Sequence, residues 1–281
     1  DLRKPEALLQ AAQANPSLLE TLLTEKVTVI DYSRRKVKQK TAFQAALCAI
    51  DDELCAMLAK YMPKEEMARQ YQEIFPEGPD AYYQKQTPFD FSQIVEAISQ
   101  SSDANVQKTI SLELPNQTVL WSGLEQFRAD FTQRSSQETV FNPQHLLKAF
   151  ELYDSQFDRW SWNQRDLFWR QVVGFVQRFL PANSAMDFAQ GLYNRVEAKE
   201  RSKRSFNFTF GGGAIFPPSF DSFSGLGYEY GCRGGVGLWA CVVGGGRTML
   251  FSNLMSSKNN DLGRIMQSES SRSNPGYCII L

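Results

Sequence analysis

The chain is poor in the side chains that metal sites and nucleophilic catalysis most often use. Its 281 residues include one histidine and five cysteines. With His145 alone, no set of imidazoles is available for zinc, and no Cys-x-x-Cys pair replaces them, so we expect no metal. The number of cysteines is odd, and they are scattered through a long chain. This pattern argues against a disulfide framework and favours a reducing, cytosolic compartment.

Long hydrophobic runs and an excess of charge are also missing. No apolar run approaches the roughly 20 residues of a membrane-spanning helix, and the opening Asp1-Leu2-Arg3-Lys4 does not resemble a signal peptide. The formal net charge is −1. A dedicated nucleic-acid binder normally carries a basic balance or a basic stripe, so we expect no nucleic-acid partner.

Helical periodicity dominates the first 204 residues. Residues 1–78 carry apolar residues at helical spacing around a β-prone hairpin between Val27 and Lys38, and one long helix is predicted from Thr41 to Pro63. Residues 79–204 continue as a helical domain, in which Ser161-Trp162-Asn163-Gln164 matches a capping box. These patterns predict a mainly α (α+β) fold with a helical unit followed by a helical bundle.

The composition changes after residue 204. Of the 18 glycines, 13 fall between Gly211 and Gly263, among many phenylalanines, which predicts a short Gly-rich β element over residues 205–265. Residues 266–281 are Ser-rich and predict a flexible tail. The runs Gly211-Gly212-Gly213 and Gly244-Gly245-Gly246-Arg247 match neither Walker A nor the dinucleotide fingerprint. We interpret them as turns and expect no cofactor.

The most specific motif is Cys278-Ile279-Ile280-Leu281, which has the Cys-aliphatic-aliphatic-X pattern that eukaryotic prenyltransferases recognise. Leucine in the last place favours a geranylgeranyl group on Cys278. The alternative is a terminal apolar strand packed into the core. One prenyl chain anchors a protein reversibly unless a second signal adds to it. Near the tail only Lys258, Arg264 and Arg272 are basic, so we expect reversible anchoring unless a membrane partner adds binding free energy.

Two resemblances to known proteins add to this interpretation. Thr41-Ala42-Phe43-Gln44-Ala45-Ala46 resembles the ankyrin signature Thr-Pro-Leu-His-x-Ala, although it lacks the proline, the histidine and the turn glycines, and a plain helical pair is the alternative. The segments 31–51 and 157–169 resemble segments shared among Legionella-type secreted effectors. The latter resemblance covers roughly residues 20–230. It implies a protein secreted into a eukaryotic host cell, where a host prenyltransferase modifies Cys278.

Catalytic candidates are few. Cys232, in Tyr230-Gly231-Cys232-Arg233-Gly234-Gly235, has a flanking arginine and glycines that suit an activated thiol, but His145 is far away in sequence. Asp51-Asp52 is interpreted as a solvated helix face. The cluster Trp160-Ser161-Trp162 with Trp169 is interpreted as core, because aromatic residues at helical spacing usually pack inside.

The sequence therefore favours a non-enzymatic effector or adaptor. We expect such a protein to bind a host protein and to be held on the cytoplasmic face of host membranes through prenylation of Cys278. The alternative, from another functional class, is an enzyme built around Cys232 in the Gly-rich segment. A third possibility is a lipid- or membrane-sensing module that carries no modification.

Overall fold

The computed structural model describes residues 2–31, 33, 35–111, 118–202, 204, 208–210, 213–216 and 246–267. It is mainly helical, which confirms the predicted fold class. The helices are α1 Arg3–Ala12, α2 Pro16–Thr24, α3 Ala42–Cys48, α4 Asp52–Ala59, α5 Lys64–Ile74, α6 Pro79–Gln84, α7 Ser92–Ser99, α8 Asp103–Ile110, α9 Val119–Ser136, α10 Gln144–Gln156, α11 Trp162–Leu167, a π-helical segment Phe168–Val173, α12 Gly174–Gln177, α13 Ala182–Gln190, α14 Leu192–Val196 and α15 Gly246–Gln267.

The predicted hairpin is present near the N-terminus. Strands β1 (Val27–Ile30) and β2 (Lys36–Lys40) pair antiparallel, and the chain then enters α3. Thr41 caps α3 in a capping box with Gln44, which satisfies backbone N–H groups at the helix start. A hairpin followed by a helix pair is the order that the ankyrin-like resemblance implies, and that resemblance stays a prediction.

The prediction of a single long helix from Thr41 to Pro63 is wrong, because this segment forms two helices, α3 and α4. Ile50 has a positive φ of 51°, which ends the helical path. Asp51 then caps α4 by accepting a hydrogen bond from the backbone N–H of Leu54 at 3.0 Å. The apolar spacing runs through this break, so periodicity alone did not reveal it.

The Gly-rich β element predicted over 205–265 is wrong for its second part. Strands β3 (Phe208–Phe210) and β4 (Gly213–Phe216) form an antiparallel hairpin, whereas residues 246–267 form α15. Buried Phe251, Leu254 and Leu262 share one face of α15, at the spacing of a helix packed against a core. Glycine-rich composition over a long window had hidden this periodicity.

One hydrophobic cluster joins the helices from α1 to α15. Its buried residues run from Leu9 to Leu262 and include members from both sides of the proposed boundaries at 78 and 204. The division into 1–78, 79–204, 205–265 and 266–281 therefore stays a prediction. Among the described helices none is long and apolar enough to cross a membrane.

Candidate functional site

The residues to which the sequence assigns chemistry fall largely outside the described residues. Cys278-Ile279-Ile280-Leu281, Cys232 with its flanking glycines, and residues 268–281 of the predicted Ser-rich tail lie there. The first two residues of that predicted tail, Met266 and Gln267, belong to α15 instead. Of the two glycine runs, Gly213 begins β4 and Gly246 begins α15. The described residues therefore do not test the hypotheses of lipidation at Cys278 and of catalysis at Cys232, and both stay predictions.

Cys48 and Cys55 are free thiols buried in the core. Burial raises the pKa of Cys48 to about 11, although Arg35 and Lys40 lower it in part. Burial also raises the pKa of Cys55 well above the ordinary value of a thiol. Neither thiol has the lowered pKa of a nucleophile.

We expect iodoacetamide to leave Cys48 and Cys55 unmodified in the folded protein at neutral pH and to alkylate both in denaturant. The thiolate is the reactive form, and burial both disfavours it and blocks the reagent. Peptide mass spectrometry after brief labelling measures the extent at each cysteine. Fast modification of either residue without unfolding would contradict these buried positions.

His145 has a structural role. Its Nδ1 accepts a hydrogen bond from the backbone N–H of Phe89 at 2.8 Å, so that Nε2 carries the proton and donates to Glu138 at 2.8 Å. The ring is buried and packs edge-on against Phe131. Both ring nitrogens are thus occupied by groups of the fold itself.

The tryptophan cluster divides into core and surface. Trp160 and Trp169 are buried, as predicted, and Trp169 stacks on Phe150 with ring centroids 5.8 Å apart. The assignment of Trp162 to the core is wrong, because it is 53% exposed. Trp162 is the first residue of α11, and Ser161 caps that helix in the predicted capping box with Gln164.

A cationic cavity of about 460 Å³, named here the Arg35 cavity, lies between the first hairpin and α9 and extends to the end of α12. No feature of the sequence analysis had singled it out. Its described lining contains four cationic side chains and no carboxylate, together with hydroxyl groups and two phenylalanines. The lining residues are Ser33, Arg35, Lys36, Arg128, Thr132, Ser135, Ser136, Phe175, Arg178 and Phe179.

Helical spacing places these side chains together. Arg128, Thr132, Ser135 and Ser136 follow one another at i, i+4, i+7 and i+8, which is one face of α9. Phe175 lies in α12, and Arg178 and Phe179 follow that helix at i+3 and i+4 from Phe175. Arg35 and Lys36 come from the hairpin, about 90 residues before Arg128 in the chain. The polar stripe on α9 was visible in the sequence and indicated a polar helix face. Which residues lie across the cavity from that face is decided by tertiary packing.

Arg35 is the most buried of the four cations, with its side chain 6% exposed. Its Nη2 lies 3.0 Å from Asp31 Oδ2 and donates to the carbonyl oxygen of Cys48 at 3.4 Å. Its other terminal nitrogen, Nη1, is buried and has no hydrogen-bond partner in the described part of the chain. A buried arginine nitrogen without an acceptor is costly, which marks this position as incomplete.

The π-helical segment holds the second arginine of the cavity. Arg128 Nη2 donates to the side-chain oxygen of Gln171, which is buried in that segment. A π turn adds a residue to the helix and shifts the register of side chains after it, and such turns are frequent at functional sites. Arg178 follows α12, and its guanidinium carbon lies 5.3 Å from the ring centroid of Phe175.

A second polar site, named here the Lys258 cluster, comprises Lys258, Asp52, Asp187 and Arg195. Lys258 Nζ lies 2.8 Å from Asp187 Oδ2 and 3.7 Å from Asp52 Oδ1. Arg195 Nη2 lies 3.0 Å from Asp52 Oδ2. The interpretation of Asp51-Asp52 as a solvated face is therefore wrong, since Asp51 and Asp52 are buried.

Burial and pairing act against each other in the Lys258 cluster. Burial by itself lowers the pKa of Lys258, but the carboxylates of Asp187 and Asp52 outweigh it, so that its pKa is raised. Burial raises the pKa of Asp52, and Lys258 and Arg195 oppose that rise in part. The cluster joins α15 to α4, α13 and α14, so it fastens the last described helix to the body.

In the part of the chain that the structure describes, no three His, Cys, Asp or Glu side chains form a group that could hold a metal ion. Comparison with known protein families, with curated proteins and with solved structures found no match to this chain.

Proposed function

We propose that the protein is a non-catalytic effector or adaptor that acts in a eukaryotic host cell, on the cytoplasmic face of a membrane. For a chain that ends at Leu281, a host prenyltransferase attaches a geranylgeranyl group to Cys278. The observation that carries this proposal is the sequence Cys278-Ile279-Ile280-Leu281. The resemblance of segments 31–51 and 157–169 to secreted effectors supports delivery into a host.

Covalent geometry limits how far the body lies from such an anchor. The body is fastened to α15, which ends at Gln267, eleven residues before Cys278. An extended chain spans at most about 3.6 Å per residue, so Cys278 lies within about 40 Å of the end of α15. A lipid on Cys278 therefore keeps the helical body close to the membrane surface.

Of the basic side chains near the tail, the structure leaves few that can add electrostatic attraction to anionic lipids. Lys258 is buried among carboxylates and is not available to anionic lipid. Arg264 is exposed but lies 3.2 Å from Asp261. One prenyl chain with so little basic charge gives reversible binding. We propose that a host protein, by binding the helical body at the membrane, supplies the additional binding free energy that stable anchoring needs.

The proposal is tested by membrane fractionation of tagged protein expressed in eukaryotic cells. We expect wild type in the membrane fraction and Cys278→Ser in the soluble fraction, because serine accepts no prenyl group. Leu281→Ser retains the cysteine and is expected to remain membrane-bound through a farnesyl group. Cys232→Ser is the matched control, since it removes a different thiol. If Cys278→Ser fractionates as wild type does, the lipid anchor is wrong.

A further inference from the structure

The hairpin of β1 and β2 concentrates positive charge in a chain that is close to neutral as a whole. Residues 25–40, named here the basic hairpin, contain six basic and two acidic side chains, a net charge of +4. The formal net charge of the whole chain is −1. Two of the cations are paired, Lys26 with Glu73 at 3.1 Å and Arg35 with Asp31 at 3.0 Å.

The three lysines of β2 carry charge that the fold does not compensate. Lys36 and Lys38 are exposed, and Lys40 is partly exposed. In the part of the chain that the structure describes, none of the three forms an ion pair with a carboxylate. Their ammonium groups are therefore available to an external anion.

The strand register places two of these lysines beside an exposed apolar side chain. Ile30 lies opposite Lys36, whereas Val29 lies opposite the buried Val37. Opposed residues share a face of a sheet, and residues two apart on a strand do so as well. Ile30, Lys36 and Lys38 therefore lie on the face opposite Val37, away from the core.

Strand β1 is apolar and lies open to solvent. All four of its residues are exposed, and Ile30 is 72% exposed. Among the described strands, β1 pairs with β2 alone, so its other edge has no strand partner. Exposed edge strands usually carry charged side chains of their own, but the Val-Thr-Val-Ile sequence of β1 has none. Such a strand beside uncompensated lysines indicates a surface that another body covers.

This combination fits the surface of an anionic bilayer. Lysine stems lie along apolar groups and carry the ammonium to lipid phosphates, while apolar side chains enter the headgroup boundary. Both faces of β1 are exposed, with Val27 and Val29 on one face and Ile30 on the other. A flat protein partner covers one face of a strand, whereas a hydrated headgroup layer surrounds it and supplies water to the open backbone edge. We propose that the basic hairpin binds the surface of membranes that contain anionic lipid.

The inference goes beyond the adaptor proposal and does not rest on a lipid at Cys278, because the hairpin carries it alone. In a prenylated protein the hairpin adds a second contact with the same membrane, the kind of second signal that one prenyl chain needs. The unlipidated chain separates the two proposals, since only the hairpin then acts.

Cosedimentation of the full-length, unlipidated chain with vesicles tests this inference. We expect binding to vesicles of phosphatidylcholine and phosphatidylserine in equal parts, no measurable binding to phosphatidylcholine alone, and weaker binding as salt is added. Lys36→Gln with Lys38→Gln should lower the partition coefficient about thirtyfold, the combined effect of two lysines near an anionic surface. Ile30→Ser should lower it about three- to tenfold, because less apolar area enters the headgroup boundary.

Each variant has a matched control outside the hairpin. Lys4→Gln with Lys108→Gln makes the same change of charge at two exposed lysines of α1 and α8. Leu8→Ser makes a similar loss of apolar surface at an exposed residue of α1. Both controls should bind the phosphatidylserine vesicles as wild type does.

Three results overturn the inference. The first is no binding to phosphatidylserine vesicles, or equal binding to both kinds of vesicle. The second is a control that loses as much binding as its hairpin variant. The third is a loss in the lysine variant with full binding by Ile30→Ser, which would make the hairpin a site for polyanions in general, such as an acidic protein segment.

Discussion

Lys258→Met lowers the free energy of unfolding by about 3–5 kcal/mol, the loss expected when one partner of a buried ion pair is removed. Lys258 is 2% exposed and lies between the carboxylates of Asp187 and Asp52. Methionine fills a similar volume but leaves Arg195 as the remaining cation of the Lys258 cluster beside the two carboxylates. Urea denaturation of the two proteins measures the difference.

The control is Lys60→Met, which removes an exposed ion pair with Glu6 at 2.9 Å. Exposed pairs contribute about 0–1 kcal/mol, so this variant should remain close to wild type in stability. Hydrogen exchange should further show that α15 loses protection in Lys258→Met, because the cluster fastens that helix. Equal stability losses for the two lysines would contradict the cluster as described.

The effect of Lys258→Met also depends on pH. The pKa of Lys258 is raised in the folded protein, so its contribution to stability is complete below the ordinary lysine pKa and is lost as pH rises through the folded value. Burial raises the pKa of Asp52, so this carboxylate is protonated as the pH falls, and Lys258 then loses one of its two negatively charged partners. The stability difference between wild type and variant should therefore be largest near neutral pH and narrow toward both extremes.

Trp169→Ala is expected to cost about 3–5 kcal/mol, the range for removing a buried large aromatic side chain. Trp169 is 1% exposed, stacks on Phe150 and meets Tyr153 edge-on at 5.2 Å. Trp162→Ala is the control, because Trp162 is 53% exposed and its loss should stay within about 0.5 kcal/mol. Denaturation curves of both variants measure the loss in the free energy of unfolding at each position. Equal losses for Trp169→Ala and Trp162→Ala would contradict the burial of Trp169 and the exposure of Trp162.

Local signals in the sequence predicted local structure well. The capping residues Thr41 and Ser161 and the β-prone run after Val27 each act through neighbours within a few residues, and the structure confirms all three. The helix break at Ile50 was missed because the apolar spacing runs through it. The helix from Gly246 was missed because the high glycine content of the region indicated turns and strands instead.

The two polar sites could not be read from sequence for a different physical reason. Asp52 finds Arg195 and Lys258 more than 140 residues away, so its burial depends on packing that no short window contains. The Arg35 cavity joins a hairpin to α9, about 90 residues later, and to the end of α12, about 140 residues later. The polar faces were visible in sequence, but which faces meet is decided by the fold.

The most direct test of the account is the intact mass of the protein purified from eukaryotic cells. The lipid-anchor proposal predicts that Cys278 carries one geranylgeranyl group and that Ile279, Ile280 and Leu281 have been removed after its attachment. Cys278→Ser is expected to retain its unmodified mass. An unmodified wild-type mass that extends through Leu281 would contradict the proposal that a lipid on Cys278 holds this protein at a membrane.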